Sequence, residues 1–175
     1  MKRHRVMAGF TIIELMVVVL VAAILLAAAV PSFNTLLINN RSAAQSRTFF
    51  DALNYARAEA VKRATAVRVT SLNGASWQGG WLVWIDTNNN GGYDGSPLDL
   101  ALQTFPKFSG TATLTGTDSA AAAITELIFN AQGGVASAAT FPVTFHYSPG
   151  SQYCQDIVVS QVGRVYITGR GVSCP

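Results

Sequence analysis

Residues 10–30 read F-T-I-I-E-L-M-V-V-V-L-V-A-A-I-L-L-A-A-A-V, a 21-residue run in which only Thr11 and Glu14 are polar. At 1.5 Å per residue a helix of this length crosses the ~30 Å hydrocarbon core of a bilayer, so the run reads as a membrane helix. Lys2, Arg3, His4 and Arg5 precede it. The positive-inside rule holds such a basic cluster in the cytoplasm and sends the chain beyond about Arg41 to the far side, the periplasm or the outside.

The order of signals around this run is unusual. A secretory signal carries its small-residue cleavage site after the apolar region and loses that region on cleavage. Here the small residue, Gly9, stands before it, so a cut after Gly9 removes the basic leader and keeps the helix. Gly9-Phe10-Thr11-Ile12-Ile13-Glu14-Leu15-Met16 resembles the class III signal of type IV pilins and type II secretion pseudopilins. The resemblance implies a prepilin peptidase that cuts after Gly9 and N-methylates Phe10.

A carboxylate in hydrocarbon costs about 2.5–3.5 kcal/mol on insertion scales, so Glu14 is expected to have a partner or a function. The nearest candidate cation is the α-amino group that cleavage creates on Phe10. In the family that Gly9–Met16 resembles, the equivalent glutamate neutralises a neighbouring subunit's N-terminus, which makes Glu14 an assembly register. The plainer reading is a glutamate that snorkels to the cytoplasmic interface, five residues into the run.

The formal charge of +3 and pI near 9.1 suggest a nucleic-acid partner at first sight. Three of the 12 basic residues belong to the leader, however, and the chain from Phe10 onward carries nine basic and nine acidic side chains. What remains is a gradient, with Arg41, Arg47, Arg57, Lys62, Arg63 and Arg68 early and Asp86, Asp94, Asp99 and Asp118 later. Opposed ends suit head-to-tail stacking of subunits, and solvated helix faces give the same pattern.

Pro31 lacks a helical donor and clashes with the preceding turn, so a kink or an end of the first helical segment there and a helix that continues are both open. Beyond it, Phe33, Leu36, Leu37, Ala44, Phe49, Phe50, Leu53, Ala56, Ala60 and Val61 recur at three- and four-residue steps, predicting an amphipathic helix with one face to bury. Glu59 and Arg63 form a favourably oriented i, i+4 pair. A helix continuous from residue 10 to 64 measures about 80 Å, longer than a globular domain needs.

From Ala66 the period changes to two. Residues 66–72 alternate, Asn73-Gly74 signals a hairpin, and 80–85 is an aromatic and β-branched run. Further strands are expected over 98–105, 111–115, 126–130, 140–147, 156–160 and 164–168, with the alanine-rich stretches 119–123 and 133–139 as loops or an extra helical turn. The fold class is α+β: a leader at 1–9, a membrane helix at 10–30, its amphipathic second half at 31–65, and a β-rich head at 66–175. The head is expected as an antiparallel sheet or two-sheet sandwich with the second half of the helix along one face.

The head narrows the resemblance. A-L-N-Y-A-R-A-E-A-V-K-R at 52–63, W-x-x-G-W-L-V-W-I-D at 77–86, N-N-N-G at 88–91 and G-R-V at 163–165 are similar to the FimT/GspH group of minor pilins and minor pseudopilins. That implies an inner-membrane subunit with a periplasmic head, later carried into a pilus, whose partners are the prepilin peptidase and other minor and major pilins. A type II secretion pseudopilin is the alternative.

Three smaller constellations remain. Cys154 and Cys174 lie outside the membrane in this topology, where a disulfide is the expected state; closing about 20 residues is worth roughly 3 kcal/mol in the chain-entropy model. The rival, a metal or redox thiol pair, lacks C-x-x-C spacing and histidine company. Asp86-x-Asn88-x-Asn90-Gly91, followed by Asp94, supplies alternating oxygens like a calcium loop, although Pro97 stands where a bidentate glutamate is expected and a plain inter-strand loop has the same composition. Arg164, Tyr166 and Arg170 lie in a tail that partly matches the G-R-x-R-x-R stretch of DNA receptors within the same group, with Tyr166 and Thr168 in place of the second and third arginines. A closing hairpin explains them equally. No nucleophile, base and orienting group recur at a recognisable spacing, and His146 stands alone in an apolar strand, so an enzyme is not expected.

Overall fold

The computed structural model describes residues 10–150 and 154–172. The chain divides into two compact units, residues 1–41 and 42–175. Helix α1 (Ile12–Arg63) contributes to both, and the helical assignment runs through position 31.

In the first unit, the described side chains from Phe10 to Ile38 are exposed. Leu20, Ile24 and Leu25 are all more than 60 % exposed, which in water is untenable for so many aliphatic groups on one helix. By length and composition this helix can cross a membrane. Phe33, Leu36 and Leu37, expected on the buried face of the amphipathic half, are exposed as well. The apolar repeat therefore starts to bury only with Ser42 and Ser46 and continues through Phe49, Ala52, Leu53, Ala56 and Ala60. Ala44 and Val61 also fall on the exposed side, so the buried stripe is narrower than the three- and four-residue count suggested.

The second unit is built from that stripe and eight strands: β1 (Val67–Ser71), β2 (Trp81–Asp86), β3 (Asp99–Phe105), β4 (Thr113–Thr117), β5 (Glu126–Phe129), β6 (Val143–Ser148), β7 (Cys154–Val159) and β8 (Val165–Val172). They form two four-stranded antiparallel sheets, ordered β3-β2-β1-β5 and β4-β6-β7-β8. Strict alternation of buried and half-buried residues in β1 and β6 turns one face of each sheet inward. Phe49 of α1 meets Trp77, Trp81 and Phe145 edge-on at centroid distances of 5.4, 4.9 and 4.8 Å, the geometry that aromatic quadrupoles favour. The buried Trp77 indole N–H donates to the Ile124 carbonyl at 2.6 Å. Gly116 leaves room for this packing, since a Cβ there would lie 2.7 Å from the Phe145 ring.

One local expectation needs correction and one open alternative is decided. The Asn73-Gly74 pair does not form a two-residue hairpin. The connection runs from Leu72 to Gly80 with a 3-10 turn at Trp77–Gly79, closed by the Leu72 N–H on the Gly80 carbonyl at 3.0 Å. Burial of Trp77 requires the longer loop. The alanine-rich segments 119–123 and 133–139 are loops, the first of the two alternatives, with Thr117 bridging Ala123 and Phe129 bridging Val135. The charge gradient along the sequence is also partly folded away, because Arg68 meets Asp86 at 3.1 Å.

Candidate assembly site

The exposed segment begins with a cap. The Glu14 backbone N–H donates to Thr11 Oγ1 at 3.3 Å, and the Leu15 N–H to the Thr11 carbonyl at 3.2 Å. Thr11 is thus the N-cap and Glu14 the third helical residue, the T-x-x-E spacing of a capping box. Sequence reasoning that pairs Glu14 with the α-amino group of Phe10 misses this local role, although the T-x-x-E spacing stands in the sequence. A carboxylate in the first turn also complements the positive end of the helix dipole. Glu14 and Phe10 are both exposed, Phe10 at 77 %, so Phe10 and the acid four residues later are open to a neighbour. Gly9 lies outside the described residues.

The Asp86–Asp94 loop is held by its own groups. Asp86 Oδ2 accepts from Arg68 at 3.1 Å and from the Gly91 N–H at 3.0 Å. Asp94 accepts from the side-chain amides of both Asn88 and Asn90. The buried Asp99 accepts from the Thr87 and Asp94 N–H groups at 3.2 and 2.7 Å, pinning the loop at both ends. Among the described residues, no group of three or more His, Cys, Asp or Glu side chains is placed to hold a metal. For Asp86, Asn88, Asn90 and Asp94 to hold calcium, Arg68 would have to leave Asp86 and both amides would have to turn.

Arg164 is exposed and lies over the Tyr166 ring, 5.9 Å from its centroid. Arg170 belongs to β8, and its side chain lies outside the described residues. Cys154 opens β7, is buried, and is not a free thiol; its expected partner Cys174 lies outside the described residues. His146, taken as solitary, has a partner that only strand pairing supplies: its Nδ1 is 2.6 Å from Asp156 Oδ1 across β6 and β7. Among the described residues, three groups in the head have shifted acidity. Hydrogen bonds from Arg63 and Lys62 hold Glu59 below the usual carboxylate range, and those from the Thr140 side chain and backbone do the same for Asp118. Burial raises the Tyr147 phenol, which donates to Gln45 at 2.8 Å.

The described residues thus combine a long helix with an exposed apolar segment, a capped acid at its start and a two-sheet head. Residues 45–163 match the family described as type II transport protein GspH. The chain belongs to the GspH family. Residues 5–30 also match the prokaryotic N-terminal methylation motif. No curated protein matches. Among solved structures, the type IV minor pilin FimU of Pseudomonas aeruginosa (strain PAO1), in two crystal forms, is similar at 22 % identity. The TM-scores are 0.56 and 0.58, over 75 % and 78 % of this chain and 98 % and 97 % of FimU. This GspH-family chain is accordingly a minor pilin or pseudopilin with the α+β fold of FimU, a structural subunit and not an enzyme.

Proposed function

We propose that the chain is a minor pilin of a type IV pilus. It is inserted in the inner membrane, cut after Gly9, methylated on Phe10, and recruited into an assembly-initiating or tip complex. The observation that carries this reading is the exposed apolar helix with Glu14 in its first turn, directly after the new N-terminus. Such a helix has no interior of its own, so its stable environments are lipid and the helices of other pilins. Glu14, desolvated in either one, is satisfied by the α-amino group of a neighbouring Phe10. Lys2, Arg3 and Arg5 before the span support a cytoplasmic leader and a head on the far side.

The test is the intact mass and N-terminal sequence of the chain from cells with and without the prepilin peptidase. A mature form starting at methylated Phe10, seen only with the peptidase, is the expected result. A retained leader, or loss of the whole apolar segment, overturns it.

The family's description favours a second reading, a minor pseudopilin of a type II secretion system. Deletion separates the two: loss of surface pili supports the first, loss of protein export the second. A DNA receptor rests on Arg164 and Tyr166 with Arg170, and duplex retention by the chain that falls as salt rises is its measurement.

A further inference from the structure

The chain holds two Asn-Gly pairs, Asn73-Gly74 in the loop between β1 and β2 and Asn90-Gly91 in the loop between β2 and β3. An asparagine followed by glycine carries its own nucleophile. The next backbone nitrogen can reach the side-chain carbonyl carbon, and glycine has no side chain to obstruct the approach. Whether the pair reacts depends on what holds these two groups. At Asn90-Gly91 both are held: the Gly91 N–H donates to Asp86 Oδ2 at 3.0 Å, Asn90 Oδ1 accepts from the Gly92 N–H at 2.8 Å, and Asn90 Nδ2 donates to Asp94.

Asn73-Gly74 has the same two residues and none of these restraints. Among the described residues, neither the Gly74 N–H nor the Asn73 side-chain amide makes a hydrogen bond. Both residues are exposed, and a Cβ built on Gly74 would meet nothing within 4 Å, so nothing crowds this peptide. The Asn73 backbone is anchored instead: its N–H donates to Ser71 Oγ at 3.2 Å, and its carbonyl accepts from the Ser76 N–H at 3.1 Å. The reacting pair therefore stands at the exposed start of the loop that carries Trp77 into the core.

We propose that Asn73 is a site of spontaneous deamidation, while Asn90 is protected by the bonds of its own loop. The Gly74 nitrogen gives its proton to a solvent base and attacks Asn73 Cγ. The new C–N bond closes a succinimide, the Cγ–Nδ2 bond breaks, and the departing nitrogen takes up a proton from solvent and leaves as ammonia. Water then opens the succinimide at either carbonyl, giving aspartate or isoaspartate at position 73 with no change of oxidation state. Either product adds a negative charge, and isoaspartate inserts one side-chain carbon into the backbone of the loop. The bonds to Ser71 and Ser76 both belong to Asn73, so the modification acts directly on the turn that leads to Trp77.

The test is peptide mapping of the full-length chain in detergent at mildly alkaline pH, with one sample folded and a parallel sample in urea. Trypsin releases residues 69–107 as one peptide that carries both pairs, and fragmentation assigns the mass change, water gained for ammonia lost, to position 73 or 90. Tryptophan fluorescence confirms that the folded sample stays folded. In that sample Asn73 is expected to convert roughly tenfold faster than Asn90, because the Gly91 bond to a charged acceptor must open first. In urea the two rates are expected to converge, and Asn73→Gln to remove the fast product in both samples. Equal rates in the folded chain, faster conversion at Asn90, or no conversion at Asn73 while the urea sample converts each overturns the inference. So does a gap that persists undiminished in urea, which would place the selectivity in the flanking residues.

Discussion

Arg57 of α1 donates its Nε–H to the carbonyl of Gly133, 76 residues further along the chain, at 2.8 Å. Its Nη2 reaches the Val162 carbonyl at 3.3 Å, so one side chain ties the helix to two turns in different sheets. The two turns also touch each other. Gly163 has φ +75°, and a Cβ built there would fall 1.8 Å from the Gly133 oxygen.

Arg57→Ala is expected to destabilise the head by about 2–3 kcal/mol, because it removes two hydrogen bonds from a charged donor and leaves carbonyls unpaired. Gly163→Ala is expected to cost more, through both left-handed strain and collision with backbone. Trp77, Trp81 and Trp84 are all buried, so their fluorescence during urea denaturation reads both changes. Equal stability of Gly163→Ala and the parent chain would refute the account of this corner.

Phe49→Ala removes the ring shared by Trp77, Trp81 and Phe145 and is expected to cost about 3–5 kcal/mol. Trp77→Phe keeps most of the volume and loses the bond to Ile124, for about 1 kcal/mol. The ordering of the two midpoints in denaturant is the check.

Glu59 and Asp118 have folded pKa values below their ordinary ones, so the stability they contribute is present above the ordinary carboxylate range and disappears as pH falls through their folded pKa. Tyr147 has the opposite sign: its contribution is intact below about pH 10 and is lost as the pH rises further. Melting temperature against pH should therefore bend downward at both extremes. Glu59→Gln should flatten the acid side, and an unchanged acid limb in that variant would count against the Arg63 and Lys62 contacts as its cause.

The course of α1, the α+β class and the positions of the strands could be read from period and turn residues, because both are local properties of the chain. The exposure of Phe33, Leu36 and Leu37 could not, since a helical repeat states which residues share a stripe and not where a sheet begins to cover it. The partners of His146 and Arg68 were hidden for a related reason. Asp156 and Asp86 become neighbours only through strand register. At the candidate site, Glu14 was identified by its cost in a membrane, and its cap with Thr11 was overlooked in favour of that larger effect.

Glu14→Leu should leave insertion and cleavage after Gly9 unchanged while emptying the pilus fraction of this chain. Loss of one partner from a desolvated ion pair costs about 3–5 kcal/mol, more than a tenfold change in occupancy. Immunoblots of membrane and sheared surface fractions measure it. Normal recovery of the variant in pili would remove Glu14 from the assembly contact.

Calcium at millimolar concentration should leave the melting temperature of the head unchanged, because Arg68 and the Gly91 N–H already occupy Asp86, and the Asn88 and Asn90 amides face Asp94. Calorimetry with calcium and with chelator decides it. A rise with calcium that Asp94→Ala abolishes would establish the cation site instead.

The outward-facing helix from Phe10 to Ile38 also bears on direction. Its described side chains are all exposed, so little of its surface is committed to an interior, and lipid tails are about as apolar as the leucines and valines of adjoining helices. Transfer in either sense is close to neutral over most of its length. For the pilin proposed above, that near-neutrality implies that a polymer built from such segments would resist disassembly mainly through contacts of its heads and of Glu14.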